Sequence, residues 1–266
     1  MRLSGGTRTN PPTGIRIRLA ENLDGQVGMF DDLCHDGPMI GESLLAGRAE
    51  LLKFLGREIA ALGGGRRLIA IDGADGSGKT TFADELASSV RGRPVVTIHL
   101  DDFLNLQEVR HRRGRTSPEG FWLDTYDYAA FQDNVLTPLR RSGDGKYRPA
   151  VTDARQNQRL ELPLREAPEE SLVLVEGMFL HRDELRGQWD YSIFLDVPFT
   201  ETARRMSVRD GGNPDPEHPS MRRYVGGQRL YFEAAEPWTR ATRVVDNTQP
   251  DEPRLLPGGE ASKRRR

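Results

Sequence analysis

Residues 73–80 read Gly73-Ala74-Asp75-Gly76-Ser77-Gly78-Lys79-Thr80, a full match to G-x-x-x-x-G-K-[ST]. That spacing suits a backbone that wraps phosphate oxygens. Glycines permit the close, tightly turned path, and successive N–H groups point inward. Lys79 can reach the terminal phosphates, and the Thr80 hydroxyl can ligate Mg²⁺. With Ala74, Asp75, Ser77 and Thr81 around them, these residues form the expected nucleotide-binding set. A plain glycine-rich turn would explain Gly73, Gly76 and Gly78 but not Lys79 and Thr80 at their offsets. The motif predicts nucleotide binding; it does not separate kinases from other nucleotide hydrolases.

Carboxylates stand where apolar runs end. Asp101-Asp102 follow the run 94–100, where a group could orient and deprotonate an attacking hydroxyl. A polar turn capped by either aspartate fits the same residues. Glu176 ends the run 172–175, where an acid would hold Mg²⁺ directly or through water. Asp196 ends 191–197, but Pro198 follows and a turn role suits it better.

The elements that must position these groups are legible from pattern. Leu45, Leu51, Leu52, Leu55, Ile59 and Leu62 recur at helical spacing over 44–62, and three glycines end the run. Short apolar runs at 67–72, 94–100, 172–176, 191–197 and 243–246 suit buried strands. Helical patterns fall at 79–90, 128–139, 200–209 and 221–234, and 147–164 reads as a hairpin or extended excursion. Strands alternating with helices predict an α/β fold with a mainly parallel sheet, whose ligands bind at the carboxyl ends of the strands. Residues 1–40 read as a flexible extension, 41–249 as the folded domain, and 250–266 as a disordered tail. Lysine and arginine number 38 against 40 acidic residues, a formal net charge of -2, so no bulk attraction to nucleic acid or anionic membrane is expected. Cys34 is the single cysteine, and no apolar run approaches the roughly 20 residues of a membrane helix. Cytoplasmic placement is the resulting expectation.

Taken together over about residues 68–247, the chain resembles the uridine kinase-like family of P-loop kinases, relatives of phosphoribulokinase and bacterial pantothenate kinase. The resemblance rests on the loop IDGADGSGKTTFA, Asp101-Asp102-Phe103 and Tyr126-Asp127. It continues through Val175-Glu176-Gly177, the segment Arg204 to Asp210, and Val244-Val245-Asp246-Asn247. It implies a three-layer P-loop fold with a small hairpin excursion and an arginine-rich lid. It further implies ATP and Mg²⁺ as cofactors and a small hydroxyl-bearing acceptor. Asp101 matches the family's catalytic base. Asp127, with Tyr126 beside it, matches an acid near the substrate sugar hydroxyls, and Glu176 an acid near Mg²⁺. Arg205 and Arg209 lie in the lid-type segment over the ATP phosphates; a solvated helix face is the alternative for each. One stretch departs from the family: residues 149–159 lack the aromatic and the histidine that read a pyrimidine, and Asp153 and Arg155 stand there instead as groups for a polar acceptor. The cluster Arg110, Arg112, Arg113 and Arg115 fits either steering of an anionic substrate or a solvated loop. A switch or chaperone-type NTPase without a small acceptor is the competing reading, in which Asp101 and Asp127 have no task.

Overall fold

The computed structural model describes residues 47–257 and 260–261. The expected extension over 1–40, Cys34, and the basic end 263–266 lie outside the described residues. Leu45 of the predicted pattern lies outside the described residues, and the first described helix, α1 (Arg48–Ala60), starts after Gly47, which has φ +90°. It places Leu51, Leu55 and Ile59 on one buried stripe. Strand β1 (Arg67–Gly73) follows and is buried from Leu68 onward. The phosphate loop leads into α2 (Lys79–Ser89), then β2 (Val95–His99) and a 3₁₀ turn over Leu100–Phe103.

The polar stretch after β2 is more helical than expected. It forms α3 (Gln107–Arg110) and α4 (Pro118–Asp124). Ser117-Pro118-Glu119-Gly120 opens α4: the Ser117 hydroxyl accepts from Gly120 N at 2.9 Å and Pro118 occupies the first turn. Next come α5 (Tyr128–Phe131), a π-turn (Gln132–Leu136) and α6 (Thr137–Leu139), one helical run as predicted for 128–139. The excursion is two nested pairs. The inner one is β4 (Thr152–Asp153) against β5 (Gln158–Arg159); the outer one is β3 (Lys146–Tyr147) against β6 (Arg165–Glu166). Strands β7 (Leu172–Gly177) and β8 (Tyr191–Asp196) return to the main sheet. The chain continues through α7 (Phe199–Asp210), α8 (Arg222–Ala235) and α9 (Pro237–Arg240) to β9 (Arg243–Asp246). The expected disordered tail contains β10 (Arg254–Leu256), which pairs antiparallel with β9 and sets Leu255 opposite Val245. Two leucines beside an open sheet edge outweigh the polar composition around them.

The main sheet runs β10-β9-β8-β1-β7-β2, parallel except at β10. Both faces are covered, which is why its strands are apolar throughout. Ile69 and Ile71 of β1 face α1 and α2, with Phe82 and Leu86 packed on them. Leu68 and Ala70 face the other layer, which holds Phe121, Phe131, Phe232 and Trp238. Among the described residues, no helix is long and apolar enough to cross a membrane.

Candidate active site

The register of the central strands brings the chemical groups together. Ile71 of β1 lies beside Glu176 of β7, and His99 of β2 lies beside the same Glu176. The phosphate loop, Glu176 and the Asp101 turn therefore all leave the sheet at one carboxyl edge. Gly76 and Gly78 adopt φ +77° and +89°, a region that favours glycine. A side chain on Gly76 would also meet the Thr202 carbonyl oxygen at 2.7 Å. Gly78 caps α2, so the helix's amino end opens onto the loop. Lys79 Nζ donates to Ala74 O at 3.0 Å and so lies across the loop.

The Thr80 hydroxyl donates to Glu176 Oε1 at 3.2 Å, and His99 Nδ1 lies 2.7 Å from the same oxygen. Glu176 is buried. Its hydrogen bond raises the His99 pKa, against the opposing effect of burial. A hydroxyl and a carboxylate in contact form a hard-oxygen pair of the kind Mg²⁺ accepts alongside phosphate oxygens and water. The residues present thus fit the expected ion. His99 had no assigned role in the sequence, and its approach to Glu176 follows only from strand pairing.

Asp101 is open to solvent, although protein surrounds it on most sides. That partial desolvation pushes its carboxyl upward; the nearby Glu176 carboxylate adds to the effect, while a hydrogen bond from Tyr126 and the charge of Lys79 oppose it. The Tyr126 hydroxyl donates to Asp101 Oδ1 at 2.7 Å. Among the described residues no side chain donates to Asp102, and desolvation raises it to about 6, with His99 opposing and Asp101 adding.

Tyr126 was expected beside the acceptor. Its side chain is instead only 2% exposed, and its one polar group is engaged by Asp101. Asp127 caps α5, with Oδ1 accepting from Ala130 N at 2.9 Å, and its Oδ2 pairs with Arg159 of β5 at 2.6 Å. Arg159 also donates to Thr152 Oγ1 at 3.1 Å. Asp153, expected to bind a polar acceptor, spends one carboxylate oxygen on the backbone N–H groups of Arg155 and Gln156, so it builds the hairpin turn. The hairpin cation that meets Asp127 is Arg159; Arg155, expected to bind a polar acceptor, gives its backbone N–H to Asp153.

The two lid arginines separate. Arg205 is inward, 16% exposed, and donates to the carbonyls of Asn247 and Thr248 at 2.9 and 2.8 Å. Longer contacts of 3.4 Å reach the Gly76 and Ser77 carbonyls, so it braces the loop from behind. Asn247 completes the brace by donating to Ser77 O at 2.8 Å. Arg209 is 60% exposed and reaches Asp75 at 3.5 Å, at the rim of the loop. In the basic stretch, Arg112 and Arg113 both pair with the buried Asp124, so half of that cluster is structural.

Beneath the loop lies a buried group that the sequence did not reveal. Asp72 accepts from Gly73 N at 2.7 Å, pairs with His181 Nδ1 at 2.7 Å and receives the Tyr231 hydroxyl. His181 was assigned no role; its contact with Asp72 fixes the start of the loop. Two cavities of about 550 and 650 Å³ lie away from this edge, and neither is lined by the loop, Asp101 or Glu176.

A parallel sheet with this loop between β1 and α2 defines the P-loop nucleotide-binding class. No family profile matches the chain. A uridine kinase from Brevibacillus brevis is 30% identical over 147 residues, which are 54% of this chain and 65% of that enzyme. The chain thus spans less than two thirds of the length of this curated relative. A possible uridine kinase from Bacillus stearothermophilus shares the fold with a TM-score of 0.58 at 24% identity, over 73% of this chain and 96% of that one. A candidate fructose transport system kinase from Silicibacter sp. TM1040 gives 0.57 at 24% identity, over 69% and 95%. The chain is similar in sequence to a uridine kinase over about half its length, and it shares its fold with the two solved structures over 73% and 69% of its length.

Proposed function

We propose that the protein is an ATP-dependent kinase that transfers a phosphoryl group to the hydroxyl of a small molecule. The observation that carries this reading is the meeting of Asp101, Glu176 and the Lys79–Thr80 loop at one sheet edge. The loop amides and the amino end of α2 hold phosphate oxygens. Lys79 exchanges its contact with Ala74 O for the transferring group, where its charge counts most as negative charge spreads in the transition state. Mg²⁺, when bound at Thr80 and Glu176, neutralises phosphate charge. Asp101 accepts the proton of the attacking hydroxyl through Oδ2, since Tyr126 engages Oδ1. A hydrolase without an acceptor would leave that exposed carboxylate without a task.

The acceptor is a polar molecule other than a pyrimidine nucleoside. The hairpin offers Arg159, paired with Asp127, and carries no aromatic ring between 149 and 159 for a base to stack on. The test is ADP release from ATP–Mg²⁺ with and without nucleosides, pantothenate and sugar-type alcohols. Acceptor-dependent release supports the kinase reading; equal turnover with and without every acceptor overturns it. A kcat/KM for uridine or cytidine of about 10⁴ M⁻¹s⁻¹ or more, the ordinary enzyme range, overturns the specificity assignment alone.

A further inference from the structure

The Tyr126 hydroxyl is buried and donates to Asp101 Oδ1 at 2.7 Å. An unpartnered buried hydroxyl is costly, so this bond is strongly favoured whenever the chain is folded. The ring cannot easily turn away. It packs edge-on against Tyr128 and Phe179, with centroids 5.9 and 6.2 Å apart. Its backbone is tied to the segment that carries Asp101. Asn105 N donates to Thr125 O at 2.9 Å, the Asn105 side chain donates to Tyr126 O at 2.9 Å, and Asp127 N donates to Phe103 O at 2.8 Å. Donor and acceptor, 25 residues apart in the chain, are therefore held by one small antiparallel clamp.

We infer that Tyr126 is a positioning residue for Asp101, orienting the carboxylate with Oδ2 toward the acceptor and favouring its charged form. The inference rests on the assignment of Asp101 as the base. A donor fixed on one oxygen leaves the other to receive the proton, and it stabilises the charged form of the carboxylate. The phenol is well suited to the task, because burial and the Asp101 charge push its own pKa far upward and it stays a donor throughout. The groups that also act on Asp101 are Glu176 and Asp75, which disfavour its charge, and Lys79, which favours it. Asp102 adjoins it. Against that surplus of acid, the tyrosine is a neutral donor that favours the carboxylate.

The test is Tyr126→Phe in the full chain, which removes one oxygen and keeps the ring packing. Carboxyl carbon NMR of aspartate-labelled protein follows Asp101, assigned by the signal lost in Asp101→Asn. The titration midpoint of Asp101 should move up in Tyr126→Phe, and with an acceptor from the screen the acid limb of kcat should move with it. At pH 7 kcat should fall on the order of 10-fold, as expected for loss of a hydrogen bond to a charged group, while ATP affinity stays the same. In the Asp101→Asn background, Tyr126→Phe should bring little further loss of turnover. An unchanged Asp101 midpoint overturns the inference, as does an equal loss in both backgrounds. If Tyr126→Phe is too unstable to titrate, Tyr128→Phe gives the contrast. It changes a neighbouring phenol that has no bond to Asp101, and a moved midpoint there overturns the inference too. The titration needs no substrate, so a protein without acceptor-dependent turnover would sink the kinase reading and leave this result standing.

Discussion

Arg205→Ala tests whether this arginine braces the phosphate loop or closes over the nucleotide. Its guanidinium makes two short bonds to the Asn247 and Thr248 carbonyls and one to Glu201 at 2.8 Å. The Glu201 bond is an i,i+4 pair on α7 with both side chains mostly shielded, and adds about 0.5 kcal/mol. The two carbonyl bonds are charge-assisted and largely shielded, at about 1.5 kcal/mol each on the low side of the usual span, so roughly 3.5 kcal/mol in all. The 3.4 Å contacts to Gly76 and Ser77 add almost nothing at that length. For a domain of this size 1 kcal/mol shifts Tm by about 2–4 °C, so the variant should melt roughly 7–14 °C lower. Thermal melting without nucleotide reads this directly, and ATP binding on the same sample reads the loop. A melting temperature within a degree of wild type, together with an ATP affinity lost severalfold, would refute the bracing argument and return Arg205 to the lid.

Lys79→Ala should lower turnover by about 10²–10³-fold or more, because the transferring charge loses its nearest cation; steady-state ADP release checks it, and wild-type turnover would contradict the loop assignment. Asp102→Asn should stabilise the protein in a pH-dependent way. Folding raises Asp102 from its ordinary 3.8 to about 6, so the folded chain holds this proton longer than the unfolded one. The resulting penalty is absent below about pH 4, grows as pH rises toward 6 and is complete above it. At 1.36 kcal/mol per pH unit the gap gives an upper bound near 3 kcal/mol, and partial exposure brings it to about 1–3 kcal/mol. Urea unfolding should therefore show Asp102→Asn more stable than wild type at pH 8 and equal to it near pH 4; the same gain at both would contradict the assignment.

What the sequence reveals and what it hides divide along chain separation. The loop 73–80 is legible because its chemistry is local: every residue acts within one turn of backbone. The strands β1, β7 and β8 are legible because a sheet covered on both faces demands uninterrupted apolar runs, as in Leu172 to Val175. Asp101 and Glu176 could be marked because each ends such a run. Their partners could not be. Tyr126 reaches Asp101 across 25 positions, Arg159 reaches Asp127 across 32, and His181 reaches Asp72 across 109. Nothing in local pattern separates a tyrosine that faces a ligand from one that faces a carboxylate. For the same reason Arg205 and Arg209, four apart on α7, read alike in sequence, yet one turns inward to the loop and the other out to solvent.

The central claim is that Asp101 takes the proton of a phosphoryl acceptor, and Asp101→Asn with ATP binding and turnover measured on one preparation tests it most directly. Asparagine keeps the shape and can still accept from Tyr126 through its carbonyl oxygen, but it is far too weak a base to take the proton. Lys79, Thr80 and the loop amides are untouched. ATP affinity should stay near wild type while acceptor-dependent turnover falls by about 10²–10⁴-fold, the usual span for a positioned acid–base group. Turnover retained in Asp101→Asn, or lost in Asp102→Asn instead, would contradict the account.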